Sequence, residues 1–156
     1  MYEELANHGC KKAQLYLGEM YYYGLGVKGE YSKALKYFQK ATSFQDAQFY
    51  LGEMYYFGLG VEEDYQKAFE WFEKATNSQP AQFYLGEMYY RGRGVEQDFQ
   101  KAFDLYEKLA NNGYKAAQYK LIDMYYFGQG VEQNFQKASK WFEKATNQGY
   151  AKEITQ

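Results

Sequence analysis

Apolar and polar positions along this chain recur as a block. From Ala47 to Asn77 the order is AQFYLGEMYYFGLGVEEDYQKAFEWFEKATN. Ala47, Leu51, Met54 and Tyr55 fall on one arc of a 3.6-residue wheel, which predicts an amphipathic helix over about 47–57. Gly52 lies beside that arc. A glycine inside a helix costs about 1 kcal/mol against alanine, so a close helix approach is expected there. Gly58 and Gly60 end the helix by supplying positive-φ or tightly packed positions, and Val61 gives the turn an apolar plug. Asp64 fits the N-cap of a second helix that runs to about Thr76, because its carboxylate accepts a free backbone N–H. That helix turns Ala68, Trp71, Phe72 and Ala75 inward. Lys67, Glu70, Glu73 and Lys74 stay outside, with Glu70 and Lys74 spaced as an i,i+4 pair.

Copies of the block begin at Ala13, Ala81 and Ala117, at spacings of 34, 34 and 36 residues. A fixed period of that size predicts a solenoid, in which each unit buries its apolar face only against its neighbours. The repeats are 13–46, 47–80, 81–116 and 117–150 of a single array. Residues 1–14 match 105–118 at nine of fourteen positions, so 1–12 reads as the remnant of a preceding repeat. A loop at Gly149 and the start of a further helix over 151–156 are expected at the other end. Both a piece of a longer array and a short protein capped by half-helices fit this pattern. Trp141 and Phe142 have little sequence left to cover them, which predicts end-to-end self-association. Between repeats, Ser43 and Asp46 have capping-box spacing. Ser78 can cap the next first helix, with Pro80 in its first turn.

The pattern Ala-x-x-x-Leu-Gly-x-x-Tyr-x-x-Gly-x-Gly-Val, then Asp-x-x-Lys-Ala-x-x-Trp-x-x-Lys-Ala, resembles the Sel-one-like repeat (SLR), a relative of the tetratricopeptide repeat. Its carriers here are Ala47, Leu51, Gly52, Tyr55, Gly58, Gly60, Val61, Asp64, Lys67, Ala68, Trp71, Lys74 and Ala75. The resemblance implies an all-α fold, an α/α solenoid of tandem antiparallel helix pairs in a right-handed superhelix. Departures are local. Glu30 and Asn134 replace the aspartate cap, and Ile122 replaces the packing glycine, which should push that helix outward. Tyr37 and Leu105 stand where the other two repeats have tryptophan.

Composition narrows the function. Aromatic residues make up 22% of the chain, with 20 tyrosines, enough apolar surface for a long thin core. A formal charge of −2 gives no reason to expect nucleic acid or an anionic membrane as partner. No apolar run is long enough to span a bilayer. Cys10 is the one cysteine, so no internal disulfide can form, unlike the cysteine-rich secreted branch of the family. No export signal is readable. The default compartment is cytoplasmic, or periplasmic if an N-terminal segment is removed.

The resemblance also implies that first helices line a concave side. Opposite the core arc, four columns then form: Leu15, Phe49, Phe83, Tyr119; Glu19, Glu53, Glu87, Asp123; Tyr22, Tyr56, Tyr90, Tyr126; and Tyr23, Phe57, Arg91, Phe127. A merely solvated face would carry lysine, glutamate and glutamine. Rings beside aligned carboxylates suit a peptide or protein segment with basic and apolar groups. The opposing reading makes some of these rings core between repeats. Alanine at Tyr56 and Tyr90 separates the two: binding is lost with helicity kept, or helicity collapses. Arg91 and Arg93 are expected to pair with Glu53 or Glu87, or to meet an acidic group.

Catalysis has little to rest on. His8 is the only histidine, so no nucleophile–base pair is expected around it or Cys10. No Cys/His cluster has zinc spacing, and one carboxylate per repeat is too sparse for a metal. The Gly-Leu-Gly-Val glycines end a helix, so they form no phosphate loop. No cofactor is expected. The resemblance implies a noncatalytic interaction scaffold or adaptor, often bacterial. The alternative is an immunity-type inhibitor of one dedicated toxin or effector. Hydrolysis of cell-wall or β-lactam compounds, known for cysteine-rich relatives, is a remote third.

Overall fold

The expected helix pairs are present, and each first helix opens two residues before its alanine. A computed structural model describes the backbone of residues 2–154 and the side chains of residues 2–147. Its helices are α1 (Tyr2–Asn7), α2 (Lys11–Tyr23), α3 (Tyr31–Lys40), α4 (Gln45–Phe57), α5 (Tyr65–Lys74), α6 (Gln79–Arg91), α7 (Phe99–Asn111), α8 (Lys115–Phe127) and α9 (Phe135–Ile154). No strand occurs among the described residues. The chain divides into two compact units, Met1–Ala81 and Gln82–Gln156.

In the first unit α2 packs on α3 and α4 on α5, while α3 joins the pairs by packing on α4. Leu17, Phe38, Leu51 and Met54 form the centre of its core. In the second unit α7 packs on α8 and α8 on α9, around Tyr106, Leu109, Leu121 and Met124.

The helix glycines are slots for a ring from the partner helix of the same repeat. A Cβ on Gly18 or Gly52 would lie 2.5 Å from Phe38 or Phe72, and one on Gly86 would lie 2.6 Å from Tyr106. Those three rings are fully buried, whereas Phe142, opposite Ile122, is 54% exposed. Ile122 stands at the slot position of the fourth repeat and lines the same groove as Phe142. The turn glycines behave as expected: Gly58 and Gly60 have φ of 66° and 68°. Gly60 also lets the second repeat approach the first, since a Cβ there would stand 2.6 Å from the Tyr31 backbone. Gly130 packs likewise against the Phe99 carbonyl.

Capping divides by side-chain length. Asp64, Asp98 and Asn134 accept the backbone N–H of Lys67, Lys101 and Lys137 at 2.9, 3.0 and 2.9 Å. Asparagine therefore serves as well as aspartate. Glu30 makes no such bond; its longer carboxylate pairs with Lys33 at 2.9 Å. Ser78 Oγ accepts from the Ala81 N–H at 3.3 Å, as expected. Ser43 does not cap α4, because the helix opens at Gln45 and the cap position falls on Phe44.

Two further expectations are corrected. Trp71 packs against the core as expected, half-buried, but Lys74 lies 4.1 Å above its ring instead of turning to Glu70. The break expected at Gly149 is absent, since α9 continues to Ile154. At Gly113 the same break carries a φ of 85°, and Tyr114 secures it against Phe83 at 5.5 Å. Glycine permits that turn without imposing it. Residues 155 and 156, part of the expected further helix, lie outside the described residues.

Candidate partner-binding surface

Within each unit the outward side of a first helix is partly sealed by the next first helix. In the first unit the seal is visible around Tyr22. Its hydroxyl donates to Glu53 Oε2 at 2.8 Å, bridging α2 to α4. Its ring meets Tyr50 at 5.2 Å, and Tyr50 stacks on Phe38 at 4.7 Å. Burial, then the bond to Glu53, raises the Tyr22 phenol well above the ordinary range. Burial and the Tyr23 hydroxyl do the same for Tyr50. Burial and the nearby Asp46 raise the Glu19 carboxyl.

Among the expected groove residues of this unit, Tyr56 is only 5% exposed and packs edge-on against Tyr65 at 5.3 Å. It is part of the core, so the expectation that it lines an open groove is corrected. Phe49 is half-buried against Phe72 at 6.1 Å, and Glu53 is engaged as above. Phe57 is 50% exposed.

In the second unit Glu87 is the corresponding correction, at 9% exposure. It accepts the Tyr106 hydroxyl at 2.5 Å and pairs with Lys120 at 2.6 Å and Arg91 at 3.2 Å. Burial alone would raise its carboxyl, but Lys120, Tyr106 and Arg91 together hold it below the usual carboxylate range. Arg91 thus takes one of its two expected partners. Lys120 was not foreseen; its signal is a lysine where the other repeats carry Tyr16, Tyr50 and Tyr84, opposite a glutamate column. Phe83 packs on Tyr106 at 5.5 Å. Tyr90 donates to Gln129 Oε1 at 2.6 Å and meets Phe99 edge-on. These residues are packing first, because α8 sits on the face that the helical wheel leaves open.

Arg91 stays exposed beside Glu87, and one stretch of α8 is exposed as well. Tyr119, Tyr126 and Phe127 are 42%, 51% and 64% exposed, and Asp123 lies exposed between them in sequence. The Tyr126 and Phe127 rings meet edge-on at 5.0 Å. The arrangement offers apolar rings and a solvated acceptor. Cys10 is exposed, His8 Nδ1 donates to the Glu4 carbonyl at 2.7 Å, and no metal-binding cluster occurs among the described residues.

Comparison with known proteins supplies the context. A family model described as Sel1 repeat matches residues 11–43, 45–78, 79–114 and 115–150. A protective antigen of uropathogenic Escherichia coli strains, displaying an SLR fold, superposes with a TM-score of 0.87 at 37% identity, over 95% of this chain and 32% of that one. A Sel1 repeat protein from Oxalobacter formigenes gives 0.87 at 28% identity, over 95% of this chain and 61% of that one. Helicobacter pylori cysteine rich protein B gives 0.59 at 30% identity, over 76% of this chain and 91% of that one. The chain therefore spans less than two thirds of the first two relatives. No curated protein matches it.

Proposed function

Because this chain belongs to the Sel1 repeat family, whose repeats generally act as protein–protein interaction scaffolds, we propose that it is a noncatalytic scaffold holding a basic and apolar protein segment. The surface assigned to that task is the exposed stretch of α8. The observation that carries the reading is the pair Tyr126 and Phe127, more than half exposed, with Asp123 one turn earlier. Large rings in the open are costly to keep in water and are the side chains that anchor interfaces. An unpaired acid beside them selects a cationic partner and rejects an acidic one. Glu87, already engaged with Lys120 of α8, holds the helix that presents this surface.

A photoreactive phenylalanine analogue tests the assignment. Placed at position 127 it should capture one protein, and Asp123→Lys should suppress the capture. Placed at Lys140, exposed on the second helix, it should not. Equal capture at both positions, or indifference to Asp123→Lys, overturns the assignment.

A further inference from the structure

In the second unit an acid on one first helix is neutralised by a cation from the next. Glu87 of α6 pairs with Lys120 of α8 at 2.6 Å and with Arg91, one turn along α6, at 3.2 Å. The Lys120 ammonium also lies 5.7 Å from the centre of the Tyr90 ring. Counted from the opening alanine of each repeat, the same positions in the first unit are Glu19 for Glu87, Tyr50 for Lys120, Tyr23 for Arg91 and Tyr22 for Tyr90. The acid and its neighbouring ring are kept, and both cations are replaced by phenols. A further position differs as well: Asp46 stands where the second unit has Ala116.

The first unit therefore carries an acid pair without a counter-ion. Glu19 and Tyr23 stand one turn apart on α2, and Asp46 and Tyr50 one turn apart on α4. The hydroxyls of Tyr23 and Tyr50 meet at 3.1 Å, which brings the two turns side by side. Neither carboxylate has a hydrogen bond or ion pair among the described residues. Glu19 is half-buried, while Asp46 and Tyr23 are exposed, so the site opens to solvent. Burial and the like charge of Asp46 raise the Glu19 carboxyl. Glu87 is shifted the opposite way, with Lys120 and Arg91 beside it. Partial burial of an acid whose nearest charge repels it is relieved by a cation.

We propose that Glu19 and Asp46 take the ammonium of a lysine from a partner polypeptide, which supplies from outside what Lys120 supplies to Glu87 from within. An ammonium has three donors. Two go to the carboxylates, and the third to a hydroxyl oxygen of the Tyr23–Tyr50 pair. The Tyr23 ring, 57% exposed, covers the methylene stem. The second unit gives the ligand class, because it holds an ammonium against the same acid position. The described residues bring no third carboxylate, histidine or cysteine to the pair, as a divalent cation would need. The site lies wholly within the first unit. It goes beyond the α8 assignment while resting on the same scaffold reading.

The test follows the side-chain carboxyl resonances of the full chain by NMR, at constant pH and ionic strength, as Nα-acetyl-lysine N-methylamide is added. Glu19 and Asp46 should shift together and saturate in the millimolar range, with Glu132, exposed outside the helices, unmoved. The norleucine derivative, which has the stem without the charge, should produce no shift. Tyr23→Arg copies Arg91 at an exposed position, so the fold is kept, and it should weaken the response by about tenfold. Asp46→Ala copies Ala116 and should weaken it too. Shifts shared by Glu132, shifts from the norleucine derivative, or a response that survives either variant overturn the proposal. Cadaverine binding more than about tenfold tighter would assign the site to a free amine and overturn the polypeptide source. A dimer in sedimentation that Tyr23→Arg dissolves would make a second copy the donor and overturn the separate partner. Saturation here with no capture at position 127 sinks the α8 surface alone, and capture without saturation sinks this site alone.

Discussion

Tyr106 donates its hydroxyl to the Glu87 carboxylate across 2.5 Å, from α7 to α6, while Lys120 of α8 closes on the same group. Three helices meet on one acid that is 9% exposed. Removing it strands a buried phenol and a half-buried ammonium. Glu87→Ala is expected to cost about 2–4 kcal/mol in urea unfolding. Tyr106→Phe should cost about 1 kcal/mol, because Lys120 and Arg91 still serve the carboxylate.

The same acid sets a pH dependence. Its folded pKa lies below the ordinary glutamate value of 4.5. Its contribution is complete above 4.5 and is lost as pH falls through the lower folded value. Melting curves between pH 7 and pH 3 should show the wild type losing more stability than Glu87→Gln. Parallel losses would contradict this.

The ring slots predict an inversion of helix propensity. Gly52→Ala gains about 1 kcal/mol of intrinsic propensity, yet its Cβ would stand 2.5 Å from Phe72. A net loss of about 1–2 kcal/mol is expected. In the fourth repeat, Ile122→Gly should let Phe142 retreat from solvent, with net stability changed by less than about 1 kcal/mol. Aromatic NMR shifts of Phe142 would report the move.

Glu30 is the one second-helix cap here whose side chain reaches past the backbone to a lysine instead. Glu30→Asp restores the short carboxylate that works at Asp64 and Asp98. It should raise the melting temperature, while Asp64→Ala lowers it.

The helix ends were legible in the sequence because they depend on local chemistry. Asp64, Gly58 and Ser78 each act within a few residues of themselves. The Gly52 slot was legible because a glycine inside a helix demands a packing reason. The fate of the outward rings was not legible. A helical wheel shows the face a first helix turns to its own partner, but the neighbouring repeat takes a second face. Tyr22 and Tyr56 share a wheel position with Tyr126, yet only Tyr126 is half exposed. The difference lies in what sits above each one, and periodicity within one helix carries no information about that.

Radical footprinting of the chain, alone and with the protein captured at position 127, tests the central claim most directly. Oxidation of Tyr126 and Phe127 should fall on complex formation, while exposed Tyr31 on the second helix keeps its rate. Unchanged labelling of both α8 rings would contradict the account.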